Sequence, residues 1–282
     1  MNIIGHQKQR EILSKLIENG NIPHAFLFSG PEKIGKKEIA IDFSKKILGK
    51  DNDTDFFILS SKENIITIEE IRKLQEKLSL KPYNHDFKVV IIDDVHLMKK
   101  EAQNAFLKTL EEPKGSSILI LITPYPSMLL KTIFSRVQEL KFSLVSKEEI
   151  EKHLIELGAD KEKAKEISLI SSGQIGKAID YFNNPEKVEI FNQAIKDISI
   201  MPSMNYFQRF NYAKKMSELE NIDEIMDIWQ RYFRREMIIT INRGENLMKS
   251  KELIKNISKT RYLINSTNAN KRLTLENLLL KI

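Results

Sequence analysis

FKVVIIDDVHLMKKEAQNAFLKTLEEPKGSSILILITPYPSMLLKTIFSR, residues 87–136, is the stretch from which the fold is read. Val89 to Ile92 is a continuous apolar run closed by Asp93 and Asp94, which suits a strand buried on both faces with acids at its carboxyl end. Open α/β sheets bind ligands at that end. Ala102, Ala105, Phe106 and Leu110 recur at helical spacing between Glu101 and Glu111, and Pro113 stops the helix they predict. Ser117 to Ile122 reads as a second buried strand, delivering Thr123 to the same sheet edge. A short helix then ends at Ser135 and Arg136, leaving a guanidinium at an element boundary.

Working back toward the N-terminus, Ile12, Leu13, Leu16 and Ile17 form a helical stripe over residues 7–18, followed by a short buried strand at Phe26-Leu27-Phe28. The loop after that strand reads Gly30-Pro31-Glu32-Lys33-Ile34-Gly35-Lys36-Lys37, and it opens a helix with Ile39, Ala40, Phe43, Ile47 and Leu48 inward and Gly49 at its close. Strand, glycine loop and helix stand in the order of a P-loop. In such a loop glycines let backbone N–H groups curl around phosphate oxygens, the helix N-terminus adds its positive end, and a lysine reaches the outer phosphates. Gly30, Gly35 and Lys36 satisfy that pattern. The last position does not: a serine or threonine hydroxyl would bind Mg²⁺ there, and this chain has Lys37, whose ammonium disfavours a cation by like-charge repulsion. A plain strand-to-helix turn with exposed lysines is the alternative.

Asp55 to Leu59 reads as a further strand, Thr67-Ile68-Glu69-Glu70 as a capping box, and Lys81-Pro82-Tyr83 as a loop. In a phosphate site Asp93 would hold Mg²⁺ and Asp94 would polarise a water, one methylene short of glutamate; otherwise the pair caps the next helix. Strand Val137 to Phe142 completes the sheet. Ser146-Lys147-Glu148-Glu149 is a second capping box, opening an all-helical region in which Gly158, Gly173, Gly176 and Pro185 punctuate the helices. The expected organisation is an α/β domain with a RecA-like parallel sheet over 1–143, a helical lid over 144–186 and a helical bundle over 187–282. In the last, Ile222, Ile225, Met226, Trp229 and Phe233 recur at three and four as a core stripe.

Composition bounds the function. With 282 residues, 41% of them hydrophobic, the chain can bury more than one core. Zero cysteines exclude disulfides, thiolate metal sites and cysteine nucleophiles, and the five histidines show no paired spacing, so no zinc site is expected. The opening MNIIGHQKQR lacks the apolar segment of a signal peptide and no run matches a membrane span, so a cytoplasmic protein without membrane contact is expected. A net charge of +6, from 45 basic and 39 acidic residues mixed along the chain, does not by itself identify a nucleic-acid binder.

IGHQKQREILSKLIENGNIPHAFLFSGPEKIGKK, LSLKPYNHDFKVVIIDDVHLMKKEAQNAFLKTLEEP, Ser135-Arg136-Val137, the helix start at Gly173 to Ala178 and the C-terminal NANKRLTLENLLLKI together resemble the clamp-loader AAA+ proteins of bacterial replication, nearly end to end. The resemblance implies that 187–282 is a collar joining loader subunits. It implies partners of the tau/gamma and delta types, a sliding clamp, and primed DNA contacted through its backbone. Ser135-Arg136-Val137 occupies the place of the family's Ser-Arg-Cys motif and Lys177 that of its sensor 2 arginine. The departures are Lys37 for the hydroxyl residue, Asp94 for glutamate, Lys177 for arginine, and no four-cysteine zinc module between Gly49 and Asp55. This pattern implies a stator with little ATPase of its own. Its degenerate nucleotide site would comprise Gly30, Gly35, Lys36, Asp93, Asp94, Thr123 and Lys177, binding at most ATP or ADP with weak Mg²⁺ dependence. Arg136 would act in trans on a neighbour's γ-phosphate. The rival reading is an ATP-hydrolysing motor of the tau/gamma or helicase-loader type, with a small-molecule P-loop kinase a weaker third.

Overall fold

The computed structural model describes residues 3–49, 54–61, 64–83, 86–113, 116–243 and 248–282; most of the short link expected between Gly49 and Asp55 lies outside them. The chain divides into two compact units, Met1–Asn183 and Asn184–Ile282.

The first unit is built on five parallel strands: β1 (Ala25–Ser29), β2 (Phe56–Leu59), β3 (Lys88–Ile92), β4 (Ser117–Thr123) and β5 (Gln138–Lys141), in the order β2-β3-β4-β1-β5. Successive side chains of a strand point to opposite faces, and here both faces are apolar. Leu27, Val90, Ile92, Leu119 and Leu121 point to the face covered by α3 (Ile68–Ser79), α4 (Lys100–Glu111) and α5 (Lys131–Phe134), where they meet Ile71, Leu74, Phe106, Leu110 and Ile133. Phe26, Phe28, Val89, Ile91, Ile118 and Ile120 point to the opposite face, against Leu13 of α1 (Gln7–Glu18) and Ile39, Ala40 and Phe43 of α2 (Lys36–Leu48). Each fully buried aliphatic or phenyl side chain contributes about 1.5–3 kcal/mol, so this three-layer sandwich fixes the sheet firmly.

Both predicted capping boxes form reciprocally, at Thr67/Glu70 and at Ser146/Glu149. The last strand is shorter than the expected 137–142, because only Gln138–Lys141 ladders on β1; Phe142 adds one more bond, from its N–H to the Ser29 carbonyl at 2.8 Å.

Helices α6 (Lys147–Glu156), α7 (Lys161–Ile170) and α8 (Ile175–Asn183) belong to the same compact unit as the sheet. They are tied to the glycine loop by two hydrogen bonds: the Gly176 backbone N–H donates to the Lys33 carbonyl at 2.7 Å, and the Gln174 side-chain amide donates from Nε2 to the Glu32 carbonyl at 3.0 Å.

The second unit holds α9 (Pro185–Ile200), α10 (Tyr206–Ser217), α11 (Ile222–Arg243), α12 (Met248–Ser266) and α13 (Lys271–Leu279). Trp229 is fully buried among Ile225, Met226, Ile257 and Leu275, and its indole N–H donates to the Ala194 carbonyl at 2.9 Å. The stripe read from the sequence is therefore core. Arg261 clasps both carboxylate oxygens of Asp223 at 2.9 and 2.7 Å and, with Asn265, holds that carboxyl below the usual carboxylate range. No described helix is long and apolar enough to cross a membrane.

Candidate nucleotide-type cleft and a separate arginine

Strand order places the glycine loop. Because β4 lies between β1 and β3, the loop leaving β1, the aspartates leaving β3 and Thr123 at the end of β4 meet at one carboxyl edge. Gly30 runs at φ +144, and a Cβ there would fall 2.2 Å from the Phe142 carbonyl oxygen, so only glycine fits. Gly35, at φ +96, is the N-cap of α2. Beneath the loop, the ring of His6 donates from Nε2 to the Ile34 carbonyl at 2.7 Å and packs edge-on against Phe142. Burial lowers the His6 pKa, outweighing that bond.

The loop and the aspartates enclose a cleft of about 460 Å³, lined among others by Glu32, Lys36, Lys37, Asp93, Asp94 and His96. Lys36 is buried and turned back on its own loop, donating to the Gly30 carbonyl at 2.6 Å and to the Pro31 carbonyl. Burial lowers its pKa, while Glu32, Asp94 and Asp93 pull the other way. Lys37 departs from the P-loop pattern in a specific manner: its Nζ lies 2.9 Å from Asp93 Oδ2. The other oxygen of Asp93 accepts the Asp94 N–H at 3.1 Å. Asp93 is only 18% exposed, so the ammonium stands where the sequence expectation put a cation.

Asp94 takes a left-handed backbone, φ 52 and ψ 45, at the start of a single helical turn, and its side chain makes no capping bond. The simple capping alternative therefore does not describe it. Burial raises its pKa, helped by the neighbouring Asp93 charge.

Thr123 is fully buried, and its hydroxyl accepts the Tyr125 N–H at 3.0 Å, so it shapes the turn after β4. Tyr125 reaches back across the cleft to Glu32, 3.0 Å from its hydroxyl, and its ring meets His96 edge-on. Sequence reasoning missed His6, Glu32 and Tyr125. His6 and Tyr125 belong to no motif and Glu32 fills a position that the loop pattern leaves unspecified, and all act through contacts between segments remote in the chain. Lys177 lies half-buried on α8, whose first turn is bonded to the loop at Lys33. The cleft thus gathers Gly35, Lys36, Asp93 and Asp94, with Gly30 behind them, while Thr123 supports the wall.

Arg136 is elsewhere. It stands two residues ahead of Gln138, which pairs with Phe26, whereas Gly30 follows Ser29, which pairs with Lys141. That offset is about six strand residues, or about 20 Å, so Arg136 occupies the amino edge of the sheet. Its guanidinium bonds Glu111 Oε1 at 2.9 Å, the Thr132 carbonyl at 2.9 Å and the Ser135 hydroxyl at 2.9 Å, and remains 33% exposed. His24, Leu110 and Glu111 line the shallow depression around it.

A five-stranded parallel sheet with a glycine loop after β1, paired aspartates after β3 and a helical segment bonded to the loop defines an AAA+-type P-loop protein. Similarity to known proteins narrows the class. A family model described as DNA polymerase III, delta subunit, matches residues 48–146. The gamma subunit of DNA polymerase III from Buchnera aphidicola is 29% identical over 71% of this chain and 61% of its own length. The delta' subunit from Bacillus subtilis is 28% identical over 66% of this chain and 62% of its own. A DNA polymerase III gamma subunit-related protein from Thermotoga maritima, of known crystal structure, superposes with a TM-score of 0.60 at 19% identity, covering 96% of this chain and 97% of that one, and so shares the fold. By these matches the chain is similar to clamp-loader subunits of DNA polymerase III. It spans between 25% and 62% of the length of the first five curated relatives it matches.

Proposed function

We propose that this chain is a delta prime-type stator of a bacterial DNA polymerase III clamp loader. It would assemble in the cytoplasm with tau/gamma and delta subunits, through 187–282 as collar, to place a sliding clamp on primed DNA. Arg136 would act in trans on a nucleotide held by a neighbour. The observation that carries this reading is the placement of Arg136 at the amino edge of the sheet, about 20 Å along the strands from its own glycine loop. An arginine there cannot serve the nucleotide of its own subunit and is partly exposed to another. Supplied across an interface, a guanidinium of this kind is worth about 10³–10⁵ in rate. Lys37 on Asp93 supports the same reading, since a metal-dependent hydrolysis needs that carboxylate.

The second reading, a hydrolysing motor of the tau/gamma type, is favoured by the gamma and tau relatives and by the retained Gly30, Gly35 and Lys36. Turnover of Mg²⁺-ATP by the isolated chain separates the two. The stator reading expects none above background. Turnover that Lys36→Ala abolishes would transfer the chain to the motor reading.

A further inference from the structure

The residues of the cleft do not fit the divalent cation that a P-loop ordinarily holds. The loop hydroxyl that would ligate it is absent, and one oxygen of Asp93 is occupied by the Lys37 ammonium while the other accepts the Asp94 N–H. A dication could enter only by expelling that ammonium and then standing beside it. Yet the cleft keeps the features that recognise phosphate. Gly35 opens α2 with a left-handed turn, and Gly30 lets the loop run against β5's continuation. Lys36 points inward, and its two partners are carbonyls of the loop itself, which a phosphate oxygen can replace. His96 supplies an independent pointer. Its side chain is 10% exposed and lines the cleft, and its Nδ1 has no hydrogen-bond partner among the described residues, Asp94 Oδ1 being 4.0 Å away. A buried ring nitrogen of that kind is left for a water or a ligand atom to satisfy.

We infer that this cleft binds a diphosphate group without a metal ion, the tethered ammonium of Lys37 standing in for the divalent cation. The chemical class is a nucleoside diphosphate or free pyrophosphate. Lys37 leaves Asp93 for the diphosphate, or bridges the two, while Lys36 turns from the loop carbonyls to a phosphate oxygen. The inference rests on the P-loop reading of the cleft. It is separable from the trans-acting role, because Arg136 lies at the other edge of the sheet and takes no part in the binding.

Isothermal titration of the full chain tests it, with ADP and with pyrophosphate, each in EDTA and in excess Mg²⁺. The wild-type affinity is expected to be the same with and without Mg²⁺ to within about twofold, and Lys37→Thr is expected to lose tenfold or more in EDTA and to recover with Mg²⁺. ADP binding without pyrophosphate binding would assign the ligand as a nucleotide, and pyrophosphate binding at comparable affinity would assign it as the bare diphosphate; either supports the inference. Three results would overturn it: a tenfold gain from Mg²⁺ in the wild type, equal metal-free binding by Lys37→Thr, or no wild-type binding in either buffer. Should Lys37→Thr fail to fold, Asp93→Asn takes its place. It frees Lys37 and removes one negative charge, so metal-free binding should tighten at least threefold; unchanged or weaker binding would overturn the inference.

Discussion

The two edges of the parallel sheet carry the same kinds of group, basic side chains beside carboxylates, and arrange them to opposite ends. At the carboxyl edge Lys36 is buried and folded onto its own loop, and Lys37, 39% exposed, is paired with Asp93. At the amino edge Arg136 is held by Glu111 and by the end of α5, yet a third of it remains in solvent. An ion pair with that exposure contributes about 0–1 kcal/mol, so Glu111 orients the guanidinium without locking it away. The difference teaches that retained motif residues are not equivalent. What separates them is place: Lys36 and Lys37 line the cleft of their own subunit, while Arg136 stands at the opposite edge of the sheet, away from it.

The comparison can be broken first at Gly30, the residue that lets the loop pass beneath Phe142. Gly30→Ala places a Cβ 2.2 Å from a backbone oxygen at φ +144, combining a strained backbone with overpacking. The expected cost is about 3–5 kcal/mol, read as a fall of about 10 °C in the melting of the first unit. A melting point unchanged from wild type would mean that the loop is not packed as described.

A smaller effect sharpens the electrostatic side. Asp94 has its pKa raised above the ordinary 3.8 by burial and by Asp93. As pH rises from below 3.8, the unfolded chain ionises this carboxyl first and the folded chain later, so the ionised group costs the folded state stability at neutral pH. Asp94→Asn, which tolerates the left-handed backbone, should therefore raise the melting temperature slightly at pH 7 and leave it unchanged at pH 3. The same rise at both pH values would assign the gain to something other than charge.

Much of this architecture is legible in the sequence, because it follows from local pattern. The helix expected over 7–18 is Gln7–Glu18, both capping boxes form, and the apolar run before Asp93 is a strand buried on both faces. The order β2-β3-β4-β1-β5 is not legible, since pairing of parallel strands depends on contacts far apart in the chain. In the cleft, the sequence identifies Lys37 as hostile to a metal but not where its ammonium goes. That depends on β3 ending beside the first turn of α2, which only the assembled sheet determines. Likewise Arg136 is recognisable as a boundary residue, while its opposition to the glycine loop emerges only from the register of β5 on β1.

The most direct test of this asymmetry is the clamp- and DNA-stimulated ATPase of a loader reconstituted with the wild-type chain, with Arg136→Ala or with Lys36→Ala, assembly being checked in each case. Arg136→Ala should remove at least one site's worth of turnover, the served site slowing by about 10³ or more, while Lys36→Ala should stay within about twofold of wild type. The reverse pattern, with Arg136→Ala neutral and Lys36→Ala impaired, would contradict the account and make the carboxyl edge the working one.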